Sequence, residues 1–267
     1  MEMLNGKTFI FLTLFTGTVS LSSCKKDDKE KVPVTPPPLS SLSIDFSFLT
    51  FEKTASFNHT NWQYTTVSLS IWNSILNDEC SIPVEAFEKT AEKQGAGAGK
   101  NTWEWKTGYQ ADTTTIVSRL RGTMNDDSIR WELYIATKSN QKTSPEFLWM
   151  KGNSSGDQTG GWWLIYENPM SMLPLVKINW SKANETSSHV RYTYVKPGDS
   201  NTGIYLENGP SDNMLYDNYY FLELPNENKI AIELNTTSKE GHIKSLMLFS
   251  DTVWHCWNAS LQNTNCN

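Results

Sequence analysis

The feature that most constrains this chain is a change of hydrophobic period at Asn101. Beyond it, apolar residues recur at every second position. Trp103 and Trp105 alternate with Glu104 and Lys106; Ile116, Ser118 and Leu120 oppose Val117, Arg119 and Arg121; Trp131, Leu133 and Ile135 alternate with Arg130 and Glu132. Further apolar stretches follow at 147–149, 162–166, 175–180, 190–195, 204–206, 219–224, 230–234 and 243–249. Between them stand turn signals at 124–127, 152–156, 197–199, 207–210 and Pro225-Asn226. A period of two is that of a half-buried strand. Strands separated by turn residues at about 12-residue spacing predict a meander of ten or eleven strands. No segment among them is long and helical enough for a parallel crossover, so the sheet is expected to be antiparallel.

The chain before Asn101 has a different period. Tyr64, Val67, Ile71, Trp72 and Ile75 recur at steps of three and four and predict a helix, capped by Thr60 or Asn61 and ending at Asn77-Asp78. A second helix is predicted from Pro83, with Val84, Phe87 and Ala91 on its apolar side and Gln94-Gly-Ala-Gly-Ala-Gly99 as its exit. That glycine run follows a helix and precedes no helix, which excludes a phosphate-binding loop. The fold class expected is α+β: an N-terminal helical pair, then the meander. So large a sheet accumulates twist and curls, giving a curved sheet, half-barrel or barrel whose concave side the helices fill. In element order this resembles the periplasmic carriers that shuttle lipoproteins. A two-sheet β-sandwich is the alternative.

The N-terminus reads as an address. Thr8 to Val19 is a twelve-residue apolar run, too short for a bilayer span of about 20 residues but suited to a signal-peptide core. Leu21-Ser22-Ser23-Cys24 then resembles the lipobox of bacterial lipoproteins. The resemblance implies cleavage before Cys24 and acylation there, and two or three acyl chains anchor durably where one does not. Lys25-Lys-Asp-Asp-Lys-Glu-Lys31 is similar to the surface-export signal of lipoproteins in the Bacteroidota. Residues 1–23 are thus expected to be a signal peptide and 24–40 an anchor and Pro-rich tether. The tether from Lys25 to Ser40 would reach about 50 Å. Residues 41–267 would form one globular domain. The location implied is the outer membrane, lipid-anchored and surface-exposed, with a periplasm-facing orientation as the alternative.

Composition narrows the partners. With 23 Lys+Arg against 29 Asp+Glu the net charge is −6, which argues against nucleic acid. Of four cysteines, Cys24 is the expected lipid site, and Cys256 and Cys266 are expected to pair in an oxidising compartment. Cys80 remains a single thiol. His59, His189, His242 and His255 stand in no metal-ligand spacing, and no nucleophile or metalloprotease motif is present, so neither a catalytic residue, a cofactor nor a metal site is assigned.

Eleven tryptophans are the surplus. Most are expected in the core. Trp162 and Trp163 must point to opposite faces of one strand, however, so one of them is core or displayed; Trp103, Trp105, Trp162 and Trp163 are the candidate ligand-binding residues. Glu104, Glu132, Glu167 and Asp217 lie beside aromatic-rich strands where a saccharide could stack. The function expected is a non-enzymatic surface module that binds a glycan, a glycoconjugate or an envelope protein. The alternatives are a carrier for a hydrophobic or lipid ligand and a glycoside-hydrolase-like enzyme whose acids converge only in the fold.

Overall fold

The computed structural model describes residues 34–49, 60–139, 143–169, 171–184 and 187–266. Cys24, the leader and the charged run lie outside the described residues, as does His59.

Helix α1 (Asn61–Ser74) starts where a capping box can form: Gln63 donates its backbone N–H to Thr60 Oγ1 at 3.2 Å, and Thr60 returns its own to Gln63 Oε1 at 3.3 Å. It does not end at Asn77-Asp78. A π-helical turn (Ile75–Glu79) carries it through Cys80 straight into α2 (Ser81–Ala91). The buried face of α1 is Trp62, Thr65, Thr66, Leu69 and Trp72; of the predicted face Trp72 and Ile75 are buried as expected, whereas Val67 is exposed. Tyr64 and Ile71 pack at its margin.

Fourteen strands then form one antiparallel sheet in strict sequence order. They are β1 (Ala96–Gly99), β2 (Thr102–Ala111), β3 (Thr114–Asn125), β4 (Ser128–Lys138) and β5 (Phe147–Ser155). Next come β6 (Gly160–Asn168), β7 (Ser171–Lys182), β8 (Ser188–Tyr194), β9 (Tyr205–Pro210) and β10 (Asn218–Leu224). The last four are β11 (Asn228–Leu234), β12 (Gly241–Lys244), β13 (His255–Trp257) and β14 (Asn263–Thr264). The meander is as expected in direction, but ten or eleven strands is an undercount. The missed strands are short and lack an alternating apolar signal: β1 is Ala-Gly-Ala-Gly, the run read as a helix exit, and β14 has two exposed residues. The segment 243–249 also differs, because β12 stops at Lys244 and a short helix α3 (Leu246–Phe249) follows. The sheet is unclosed among the described residues, with β1 and β14 as its edges. Both edges are short, which limits strand-to-strand aggregation.

The helices α1 and α2 and the N-terminal 3-10 turn lie on one face. α2 packs on β2, β3 and β4, α1 on β12 and β13, and a 3-10 turn (Leu39–Ser41) on β7 and β8. Ring contacts tie the same layer together: Phe87 to Trp163 of β6 at 5.3 Å, Trp72 to Tyr192 of β8 at 6.4 Å, Trp62 to Trp257 of β13 at 5.8 Å. Nine of the eleven tryptophans are buried.

Glycines make that possible. Gly122, Gly152 and Gly241 are the register partners of Trp131, Trp163 and Trp257. A β-carbon at any of the three would collide with its indole, so each ring lies across the bare backbone of the neighbouring strand. Gly152 is therefore a seat inside β5 and not the turn that its composition suggests.

The packed domain also begins before Ser41. Val34 and Leu39 pack against the core and Pro37 is buried, so residues 34–40 belong to the compact unit and not to a free tether.

Candidate functional site

Residues 41–49, Ser-Leu-Ser-Ile-Asp-Phe-Ser-Phe-Leu, alternate with a period of two. Leu42, Ile44 and Phe46 are buried, whereas Asp45 and Ser47 face out. The segment is a strap rather than a sheet strand. Trp163 Nε1 donates to Ser41 Oγ at 3.2 Å, and the hydroxyls of Ser40 and Ser188 meet at 3.1 Å. Asp45 shapes its bend by accepting the Ser47 N–H at 2.7 Å.

The outward side of this strap faces the ends of β8, β9 and β10 across a cleft of about 550 Å³. Its far wall carries Asn208, Asp217, Asn218, Tyr220 and Thr236. Asp217 is set by Thr236, which donates its N–H to Oδ1 at 2.9 Å and its hydroxyl to Oδ2 at 2.8 Å. Tyr220 stands between the walls. Its ring packs against Phe46 and Phe48, with centroids 6.5 and 6.2 Å away. The residue is 2 % exposed, yet its hydroxyl has no hydrogen-bond partner among the described residues. Burial first, and then the charges of Asp217 and Asp45, push the phenol well above its ordinary range, so it stays protonated and can donate. The described lining holds two carboxylates and no Lys, Arg or His.

The residues singled out in the sequence fall elsewhere. Trp103, Trp105 and Trp163 are 4, 3 and 1 % exposed and present no ring face to a ligand; burial between sheet and helices corrects that expectation. Trp162 points to the opposite face and is half-buried there, opposite Asn153 and Asn179, with no second indole in the row. Glu104 is bound by Lys106, Arg119 and Arg121, each at 2.9 Å. Glu132 faces Arg130 at 3.6 Å and Glu167 faces Lys196 at 2.6 Å. Of the four carboxylates only Asp217 belongs to the cleft.

Other chemistry-bearing groups are structurally committed. His242 meets Glu233 Oε2 at 2.7 Å and stacks on Trp254 at 3.7 Å; burial lowers its pKa in spite of Glu233. Ser211 donates to Glu233 at 2.7 Å and not to His242, so these three do not form a nucleophile triad. His255 holds Asp251 at 3.0 Å. Burial pushes the Cys80 thiol up to about 12, the state of an inert core cysteine. Cys256 and Cys266 stand with their sulfurs at bonding distance and Cα atoms 5.2 Å apart. Among the described residues no group of three or more His, Cys, Asp or Glu converges on a metal-sized site.

Asp45, Phe48 and Tyr220 were missed in the sequence. Their one signal was the alternation of residues 42–46 directly after the prolines, which marks a packed segment; nothing in the sequence pairs it with β10. Comparison with protein-family models, curated proteins and solved structures finds no match for this chain.

Proposed function

We propose that this is an exported, lipid-anchored envelope protein that binds a glycan in the cleft under its N-terminal strap. The lipid anchor is Cys24, through the lipobox Leu21-Ser22-Ser23-Cys24, and the location is the outer-membrane surface. The bonding distance of Cys256 and Cys266 supports an oxidising compartment.

One observation carries the binding reading: Tyr220, a residue only 2 % exposed whose hydroxyl has no hydrogen-bond partner among the described residues, lines a cleft rich in Asn, Asp and Ser beside Phe48. Saccharides are recognised by this mixture of polar groups and an aromatic face. The carrier reading lacks comparable support, since Trp72, Phe87 and Trp163 fill the space between helices and sheet.

The finer architecture belongs to the same proposal. From Trp62 to Thr90 a straight helix would measure about 42 Å at 1.5 Å per residue. Yet its two ends touch β13 and the strands from β2 to β4, which in a flat sheet lie about 45–50 Å apart at 4.8 Å per strand, and its real path bends at the π turn. A half-barrel wrapped around the helices fits these contacts.

The test is a glycan array probed with the full-length lipoprotein in detergent. Binding to a subset of glycans is expected, weakened about tenfold in Tyr220→Phe, which keeps the ring packing. Absence of any saccharide binding would overturn the proposal.

A further inference from the structure

The charge inventory of the cleft goes one step beyond glycan binding, and rests on it. Asp45 and Asp217 come from segments 172 positions apart in sequence, and both line the cleft together with Tyr220. Asp217 is fixed in place by its two bonds from Thr236. Asp45 uses only Oδ1 within the strap, and its Oδ2 has no partner among the described residues. Each carboxylate oxygen has a second lone pair, so both acids retain acceptor capacity towards the cleft.

No Lys, Arg or His in the described lining neutralises them. Structural acids of the outer face are treated differently, as Glu104 has three cationic partners and Glu207 is held by Arg191 at 2.6 Å. A phosphorylated, sulfated or carboxylated sugar would enter against two like charges with no compensating cation in the described lining. A neutral sugar would make no use of the charge of these two exposed carboxylates. An ammonium group satisfies both, and the Phe48 face beside it adds an electrostatic attraction that a cation alone receives. The Tyr220 hydroxyl supplies a fixed donor to a neighbouring sugar oxygen.

We infer that the cleft selects saccharides bearing a free amino group, held between Asp45 and Asp217 beside the Phe48 ring.

The test is calorimetric titration of the full-length protein in detergent with a β-1,4-linked glucosamine tetramer and with its fully N-acetylated counterpart. Acetylation removes the charge and keeps the ring. The free-amine tetramer is expected to bind at least tenfold more tightly, and more weakly as salt is raised. Asp45→Asn and Asp217→Asn, which preserve shape, with the amide oxygen able to accept from Ser47 in the first and from one of the two Thr236 donors in the second, are each expected to remove most of that preference. Equal or tighter binding of the acetylated tetramer would overturn the amine inference, as would a preference that both Asn variants keep. Array binding confined to neutral glycans would do the same while leaving the glycan reading in place. Failure of both tetramers together with a blank array would overturn that reading as well.

Discussion

Glu104 shows how side chains on the outer face of the sheet are held. Burial alone would raise its pKa, but hydrogen bonds from Lys106, Arg121 and Arg119 outweigh it and hold the carboxyl at about 2, against an ordinary 4.5. Arg119 is shared further, pairing with Glu146 and lying 4.4 Å over the Tyr134 ring. A carboxylate whose folded pKa is depressed adds stability above its unfolded value, and that addition is lost as pH falls through the folded one. Glu104→Gln is therefore expected to cost about 2 kcal/mol at pH 7, since each pKa unit is worth ~1.4 kcal/mol and solvent removes part of it. The cost should shrink below about pH 4.5 and be nearly gone at pH 2. Urea unfolding of both proteins across that range checks it; a pH-independent difference would contradict the ion-pair account. The same alternation that makes Glu104 legible as a wet-face residue separates Trp162 from Trp163. What alternation leaves open is which face the helices cover, and this decided that Trp103, Trp105 and Trp163 are core.

Among the elements, the long apolar strands were readable, whereas the glycine-rich β1 and the Gly152 end of β5 were not. Gly152-Asn-Ser-Ser-Gly156 has the composition of a turn, yet Gly152 lies mid-strand because Trp163 of β6 needs its empty side. Local composition cannot reveal a partner on another strand. Gly152→Ala places a methyl group against both the Trp163 ring and the Trp162 carbonyl oxygen, the latter at 2.5 Å. An overpacking loss of about 1–3 kcal/mol is expected by chemical denaturation. Gly97→Ala on the exposed edge strand, where nothing lies within 4 Å, should change stability little. Equal effects at the two positions would argue against the indole-seat arrangement. α1 shows a related limit: Trp72 and Ile75 of the expected face are buried, but Val67 is exposed, and the approach of β8 and β13 turns the face toward Trp62 and Leu69.

At the scale of the molecule, the antiparallel order of the sheet followed from hydrophobic period alone, because a meander needs no long-range information beyond its turns. The cleft did not. It joins a strap at residues 40–48 to the ends of strands that lie some 140–190 positions later, and only folding brings Asp45 to Asp217. Packing of the strap also places residues from Val34 onward in the compact unit, ahead of the Ser41 boundary expected for the domain.

Hydrogen–deuterium exchange of the full-length protein, with and without the tightest glycan from the array, tests the central claim most directly. The account expects ligand protection of residues 43–49, 208–210 and 217–220, with no change in β2 to β4. Protection centred on Trp162 and the outer face of β6, with the strap unaffected, would contradict it.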